Sequence, residues 1–191
     1  MFLTLPTLLT WARIVAIPFI VGVYYLPDLD LRTKNLLATV SFVVVAATDW
    51  LDGWLARKLG QTSSFGAFLD PVADKFLVVA ALLIVLQLGR VDAGAVVVGI
   101  IIGREIAISA LREWMAQIGA SRSVAVTMVG KVKTTVQMIA IPFLLYDGKL
   151  FGLIDTHLWG NVLLWVAAVL TVWSMVYYLR RALPEIRAKA R

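Results

Sequence analysis

The chain has no cysteine, which excludes disulfides, thiolate metal sites and a cysteine nucleophile. Histidine is almost as scarce: His157 stands alone in an expected loop and carries no assigned role. Charged residues make up only 16% of the chain. Linker-like, repetitive and low-complexity segments are missing, so the 191 residues read as one domain. The first apolar stretch lacks the basic leading region of a signal peptide, since only Arg13 appears early. No small-x-small cleavage site follows Tyr24-Tyr25-Leu26-Pro27, so the stretch reads as a retained helix.

Apolar residues dominate instead, at 61% of the chain with a mean hydropathy of +0.87. Soluble domains run nearer half apolar, so the main solvent is expected to be a bilayer. The net charge of +6 could suggest nucleic acid in a soluble protein. Here the basic residues flank apolar runs, which favours anionic lipid headgroups as partners and no nucleic acid. Hydropathy and turn signals predict six helices, at about 8–26, 35–58, 71–89, 93–117, 126–146 and 158–179. Trp11, Trp50, Trp114 and Trp159 fall near expected helix ends, as in an interfacial aromatic belt. Six crossings put both termini on one side. Of the 18 basic residues only Arg32, Lys34, Arg90 and Lys149 then fall on the other, which makes the richer side cytoplasmic.

Charge depth carries further information. In the second to fifth helices the uncharged stretches are 35–48, 76–89, 93–103 and 134–146. At about 1.5 Å per residue these cover roughly 17 to 21 Å, short of a hydrocarbon core about 30 Å thick. Asp49, Asp52, Asp74, Arg104, Glu105, Lys131 and Lys133 occupy the remaining, cytoplasmic part of these helices. Such charges are costly against lipid, so they are expected to line a shared hydrated cavity. The alternative is that the helices are simply long and project into water. The expected fold is therefore all-α: a polytopic membrane protein with six transmembrane helices around a polar cavity that faces the cytoplasm.

The segment DWLDGWLARKLGQTSSFGAFLDPVAD runs from Asp49 to Asp74. Asp49, Asp52, Gly53, Ala56 and Arg57 recur at i, i+3, i+4, i+7 and i+8, one stripe of a helix. Two carboxylates, two residues with almost no side chain and a guanidinium leave room for a bulky group to approach the backbone. Asp70 and Asp74 are four apart and share a face if their segment is helical. Four carboxylates without a nearby His or Cys suit hard cations such as Mg²⁺ or Mn²⁺, and their number suits two ions. Structural readings stand beside these. Asp70 could be an N-cap before Pro71, and Asp49 and Asp52 could pair with Arg57 and Lys58.

These residues resemble the signature of the CDP-alcohol phosphotransferase family, D-x2-D-G-x2-A-R-x8-G-x3-D-x3-D. Asp49, Asp52, Gly53, Ala56, Arg57, Gly66, Asp70 and Asp74 match it without departure. The resemblance implies that the four aspartates bind two metal ions and that Asp74 is the catalytic base for an acceptor hydroxyl. It also implies that Gly53, Ala56, Arg57, Gly66 and Ser63 bind the CDP-diacylglycerol donor. Likeness at 5–19, 103–119 and 123–138 extends it over most of the chain and implies sn-glycerol 3-phosphate as acceptor, with phosphatidylglycerophosphate and CMP as products. The same resemblance implies a homodimer. One small departure is Leu5-Pro6-Thr7, where the family often has Asn beside Pro.

The residues independently suit a phosphorylated acceptor. Arg104 and Arg112 lie near one helical face, with Ser109 not far away. Lys131, Thr134 and Thr135 cluster on the next helix, with Lys133 turned further round. Arg104, Arg112, Lys131 and Lys133 are the expected acceptor phosphate site. Lys131 and Lys133 could alternatively snorkel to lipid phosphate, and Glu105 is expected to pair with a neighbouring base. Cardiolipin-type and phosphatidylinositol-phosphate-type transferases share the donor half and form the alternative within the family. A divalent-metal transporter is disfavoured, because the acids crowd at one boundary and no charge continues through 76–89.

Overall fold

The computed structural model describes residues 5–59, 64–124 and 127–189; side chains at 5–7, 9, 49–59, 64, 67, 122 and 189 lie outside the description. The described residues form six α-helices. They are α1 (Leu5–Gly22), α2 (Leu31–Leu59), α3 (Ser64–Gln87), α4 (Gly94–Gln117), α5 (Met128–Tyr146) and α6 (Thr156–Lys189). Single 3₁₀ turns follow α1 at Val23–Tyr25 and precede α5 at Ser121–Val124. An unexpected antiparallel hairpin, β1 (Lys149–Leu150) and β2 (Ile154–Asp155), joins α5 to α6.

Two boundaries differ from the sequence-based expectation. The third helix begins at Ser64 rather than Pro71, so Pro71 is internal and Asp70 is not an N-cap. The last helix continues to Lys189, well beyond 179, carrying Pro184 inside it. Pro18 and Pro142 are also internal to helices. A proline loses one backbone bond, and neighbouring helices in an apolar medium let a helix absorb that loss.

The helix ends have local causes. At the end of α3 the Arg90 N–H reaches the Val85 carbonyl and the Gly89 N–H reaches that of Leu86. Gly89 supplies the left-handed turn, with φ of +66°, so the last carbonyls find donors. Gly119 ends α4 in the same way, with φ of +72° and the Ala120 N–H on the Met115 carbonyl. Asp30 precedes α2, and its carboxylate accepts from the Thr33 N–H at 3.1 Å and the Thr33 hydroxyl at 2.6 Å. These bonds hold the Asp30 carboxyl below its ordinary pKa, with the Thr33 side-chain bond as the larger cause.

In the bundle α5 packs against α2, α3 and α6, while α1 covers α2 and α3 and α4 bridges α3 to α6. Phe42, Leu82, Val85, Ile101, Ile141, Leu144 and Leu164 form the central core. Gly160 permits the close approach of α6 to α5, since a Cβ there would lie 2.7 Å from the Leu144 side chain. Large apolar side chains such as Val15, Phe19, Val44, Phe76, Ile106, Val169 and Trp173 point outward, as expected where lipid replaces water. Four helices are long and apolar enough to cross a membrane, at Leu31–Thr48, Gly94–Gln117, Met128–Tyr146 and Thr156–Ala188. The apolar stretch Thr10–Tyr25 is shorter, and α3 carries Asp70, Asp74 and Lys75 in its first half.

Candidate active site

Because α3 is helical from Ser64, Asp70 and Asp74 do stand one turn apart. Both are held by α1. The Thr10 hydroxyl donates to Asp70 Oδ1, and the Arg13 guanidinium pairs with Asp74 Oδ1. Thr10 and Arg13 are three apart, so the same α1 face meets both acids. Arg13 is buried, whereas the Asp74 side chain is 46% exposed. An arginine buried in an apolar helix needs a carboxylate, and Asp74, while meeting that need, also borders open space.

That space is a cavity of about 200 Å³ among α2, α3, α4 and α5. Asp74, Lys75, Glu105, Lys133, Thr134 and Gln137 give its polar lining. Ala46, Leu77, Val78 and Met138 give its apolar wall. Lys133 is only 3% exposed, and its ammonium bonds Glu105 Oε2 at 2.8 Å. The same carboxylate oxygen meets Arg104 Nη1 at 3.2 Å, and Arg104 Nη2 donates to the Ser174 hydroxyl at 2.8 Å. One acid therefore faces two cations, and among the described residues Arg104 Nε has no hydrogen-bond partner. The cluster carries surplus positive charge suited to an anion.

The expected acceptor residues are not equivalent. Lys133 lines the cavity, and Arg104 adjoins it through Glu105. Arg112 instead stacks on Tyr178, 5.2 Å from the ring centroid, and donates to its hydroxyl at 3.2 Å. Lys131 is exposed and is not among the cavity's lining residues. The sequence sets Lys131 beside Thr134 and Thr135 with Lys133 turned further round; in the structure Lys133 and Thr134 line the cavity and Lys131 lies outside its lining. Residues two apart are separated by about 200° of helix, so only one of the pair can face inward.

Several participants escaped the sequence reading. Arg13 was noted only as an early charge, although an isolated arginine in an apolar helix signals a buried partner. Thr10 and Gln137 gave no distinct signal. Tyr178 was also missed: its hydroxyl accepts from the Thr127 N–H at 3.2 Å and steadies the start of α5. Thr127 itself caps α5 by accepting from the Gly130 N–H at 3.2 Å.

The donor half of the expected site is partly outside the description. Asp49, Asp52, Gly53, Ala56 and Arg57 lie on α2, which is helical through Leu59, so the stripe spacing falls within one helix. Their side chains lie outside the described residues, as does Ser63 altogether. Gly66 is buried in the first turn of α3. Among the described residues no group of three or more His, Cys, Asp or Glu side chains gathers. The α3 pair does fit a hard divalent cation, since both are carboxylates on one helical face, met by Thr10 and Arg13 of α1.

Residues 3–173 match the CDP-alcohol phosphatidyltransferase family. The CDP-diacylglycerol–glycerol-3-phosphate 3-phosphatidyltransferase of Escherichia coli strain K12 is 47% identical over 182 residues, covering 95% of this chain and 96% of the relative. Proteins of the same name from Shigella flexneri serotype 5b and Shigella sonnei match with the same identity and coverage. No solved structure matches the chain. With the family match spanning nearly the whole chain and the α3 carboxylates one turn apart beside a cationic cavity, the chain belongs to the CDP-alcohol phosphatidyltransferase family.

Proposed function

We propose that this membrane protein is a phosphatidyltransferase that converts CDP-diacylglycerol and sn-glycerol 3-phosphate into phosphatidylglycerophosphate and CMP. The observation that carries the reading is a single cavity lined by both Asp74 and the Lys133–Glu105 pair. An acceptor with a hydroxyl at one end and a phosphate at the other can then meet a proton acceptor and a cation together. The near full-length likeness to enzymes of that name supports the same acceptor.

The residues divide the work. Asp49, Asp52, Asp70 and Asp74 would hold divalent cations, Mg²⁺ or Mn²⁺ and two in number, which would supply positive charge against the donor pyrophosphate. Gly53, Ala56, Arg57, Ser63 and Gly66 hold the CDP group. Asp74, with one oxygen fixed by Arg13, takes the proton of the acceptor hydroxyl at its carboxylate. The acceptor oxygen then bonds the lipid-proximal phosphorus as that phosphorus loses its bond to CMP. Lys133 and Arg104 hold the acceptor phosphate, and Glu105 keeps both cations in place before it arrives. Acyl chains remain among the outward apolar side chains, so the lipid need not leave the bilayer.

The arrangement in the membrane is part of the same reading. All six helices cross, the aspartate end faces the cytoplasm of a bacterial inner membrane, and the protein works as a homodimer. A cysteine at Ser121 should then label only from the cytoplasmic side, and one at Phe151 only from outside; reversed labelling would overturn the orientation. The decisive functional test is CMP release by purified protein with CDP-diacylglycerol and Mg²⁺ across several acceptors. Turnover with glycerol 3-phosphate, but not glycerol, inositol phosphate or serine, is expected, and EDTA should abolish it. A preference for another acceptor, or full activity in chelator, would sink the assignment.

A further inference from the structure

Gln137 lies one turn beyond Lys133 on α5 and lines the same cavity, yet the reaction described above gives it no task. The residue is only 4% exposed. Its amide carries two N–H donors and a carbonyl acceptor, set in the wall of the cavity. Leu77, Val78, Met138 and Ala46 line the cavity with it, so an apolar side chain would pack there at lower cost. A polar amide in a largely apolar wall costs free energy unless it finds a partner. A polar group kept in such a place, facing space a ligand can enter, is suited to read that ligand.

We propose that Gln137 is a specificity-determining residue that hydrogen-bonds the acceptor's second hydroxyl, the one that does not attack. The ligand class is a small polyol monophosphate with a hydroxyl next to the attacking carbon. This rests on the reading of the cavity as the acceptor pocket. Three groups around one cavity then meet three groups of the acceptor: Lys133 the phosphate, Asp74 the attacking hydroxyl and Gln137 the hydroxyl between them. The Lys133 to Gln137 step along α5 is about 6 Å, one helical turn, which suits the span from a phosphate to a neighbouring hydroxyl. Three-point contact also distinguishes the two mirror forms of glycerol phosphate.

The test compares glycerol 3-phosphate with 3-hydroxypropyl phosphate, which lacks only the middle hydroxyl, in full-length protein with CDP-diacylglycerol and Mg²⁺. Wild type should favour glycerol 3-phosphate by tenfold or more in kcat/KM, because a site built for a hydroxyl rejects the analogue without it. Gln137→Met should lower kcat/KM for glycerol 3-phosphate about tenfold and leave the deoxy acceptor within about twofold, so the preference collapses. Gln137→Asn, which retains the amide, should restore part of it. The ratio of acceptors is internal to each variant, so loss of folded protein cancels. Equal losses on both acceptors in Gln137→Met, or an unchanged preference, would overturn the proposal. Lys133→Met separates the underlying reading: it should raise KM for both phosphorylated acceptors. If it raises neither, the cavity is not the acceptor pocket and both readings fall.

Discussion

The two ends of the helix bundle both bury arginine, but they treat it differently. At the end formed by the α3–α4 turn and the α5–α6 hairpin, Arg90 has every guanidinium nitrogen engaged. Its Nη1 donates to the Leu144 and Leu145 carbonyls at 3.1 and 2.8 Å, its Nη2 to Asn35 Oδ1 at 2.6 Å, and its Nε meets Asp147 Oδ2 at 3.1 Å. Asn161 closes the shell by accepting from the Asp92 N–H at 2.8 Å and donating to the Arg90 carbonyl at 2.9 Å. His157, which had no assigned role, bonds Asp147 at 2.8 Å. At the aspartate end, Arg104 and Arg112 each keep an Nε with no partner among the described residues. A polar group that only holds the fold is expected to be saturated, because each missing bond costs stability. A polar group that serves a ligand must retain capacity. On the proposed function, the contrast separates a fastening from a site that takes a ligand.

The comparison predicts different phenotypes. Asp74→Asn should give the largest effect on turnover, a fall of about 10²- to 10⁴-fold, with a lowered Tm as well because the buried Arg13 loses its carboxylate. Near-normal CMP release from that variant would remove the base assignment. Arg90→Met should act on stability alone, destabilising by about 3–5 kcal/mol through a broken buried ion pair while KM for both substrates holds in the folded fraction. A variant of wild-type stability would show that the Arg90 end is not a fastening. Lys133→Ala should raise KM for glycerol 3-phosphate about ten- to a hundredfold, equivalent to roughly 1.5–3 kcal/mol, and exceed Lys131→Ala. An equal or reversed order would argue against the orientation of α5.

Smaller effects sharpen the fastening side. Asn161→Ala should cost about 1–3 kcal/mol of stability, read as a lower Tm, with kinetics unaffected. The smallest effect concerns Asp30, whose carboxyl is held below its ordinary pKa by Thr33. A lowered folded-state pKa means stabilisation present above the unfolded carboxylate pKa and lost as pH falls through the folded value. Wild type should therefore exceed Asp30→Ala slightly in Tm at neutral pH, with the gap closing in acid. A gap that widens in acid would contradict the cap.

Much of this was legible before any coordinates. The six helices were placed correctly in number and nearly in position, because apolar runs and turn residues are local signals. The spacing of Asp70 and Asp74 already implied a shared face, and α3 realises it. The start of α3 was misplaced because Pro71 reads as a first-turn residue, whereas tertiary support carries the helix through it. Partner choice was not legible. Arg13 meets Asp74 and Arg90 meets Asn35 across separations of 61 and 55 residues, and no periodicity reports such distances.

The sequence alone determined the solvent, the helical class and the carboxylate signature, because each depends on composition or on spacing within one or two helical turns. Tertiary structure decided the absolute rotation of each helix, and with it which of two lysines enters the cavity. Periodicity defines a face but not the direction that it points; that direction is set by the neighbours packed against it. Lys133 is buried on Glu105 while Lys131 stays outside, for that reason.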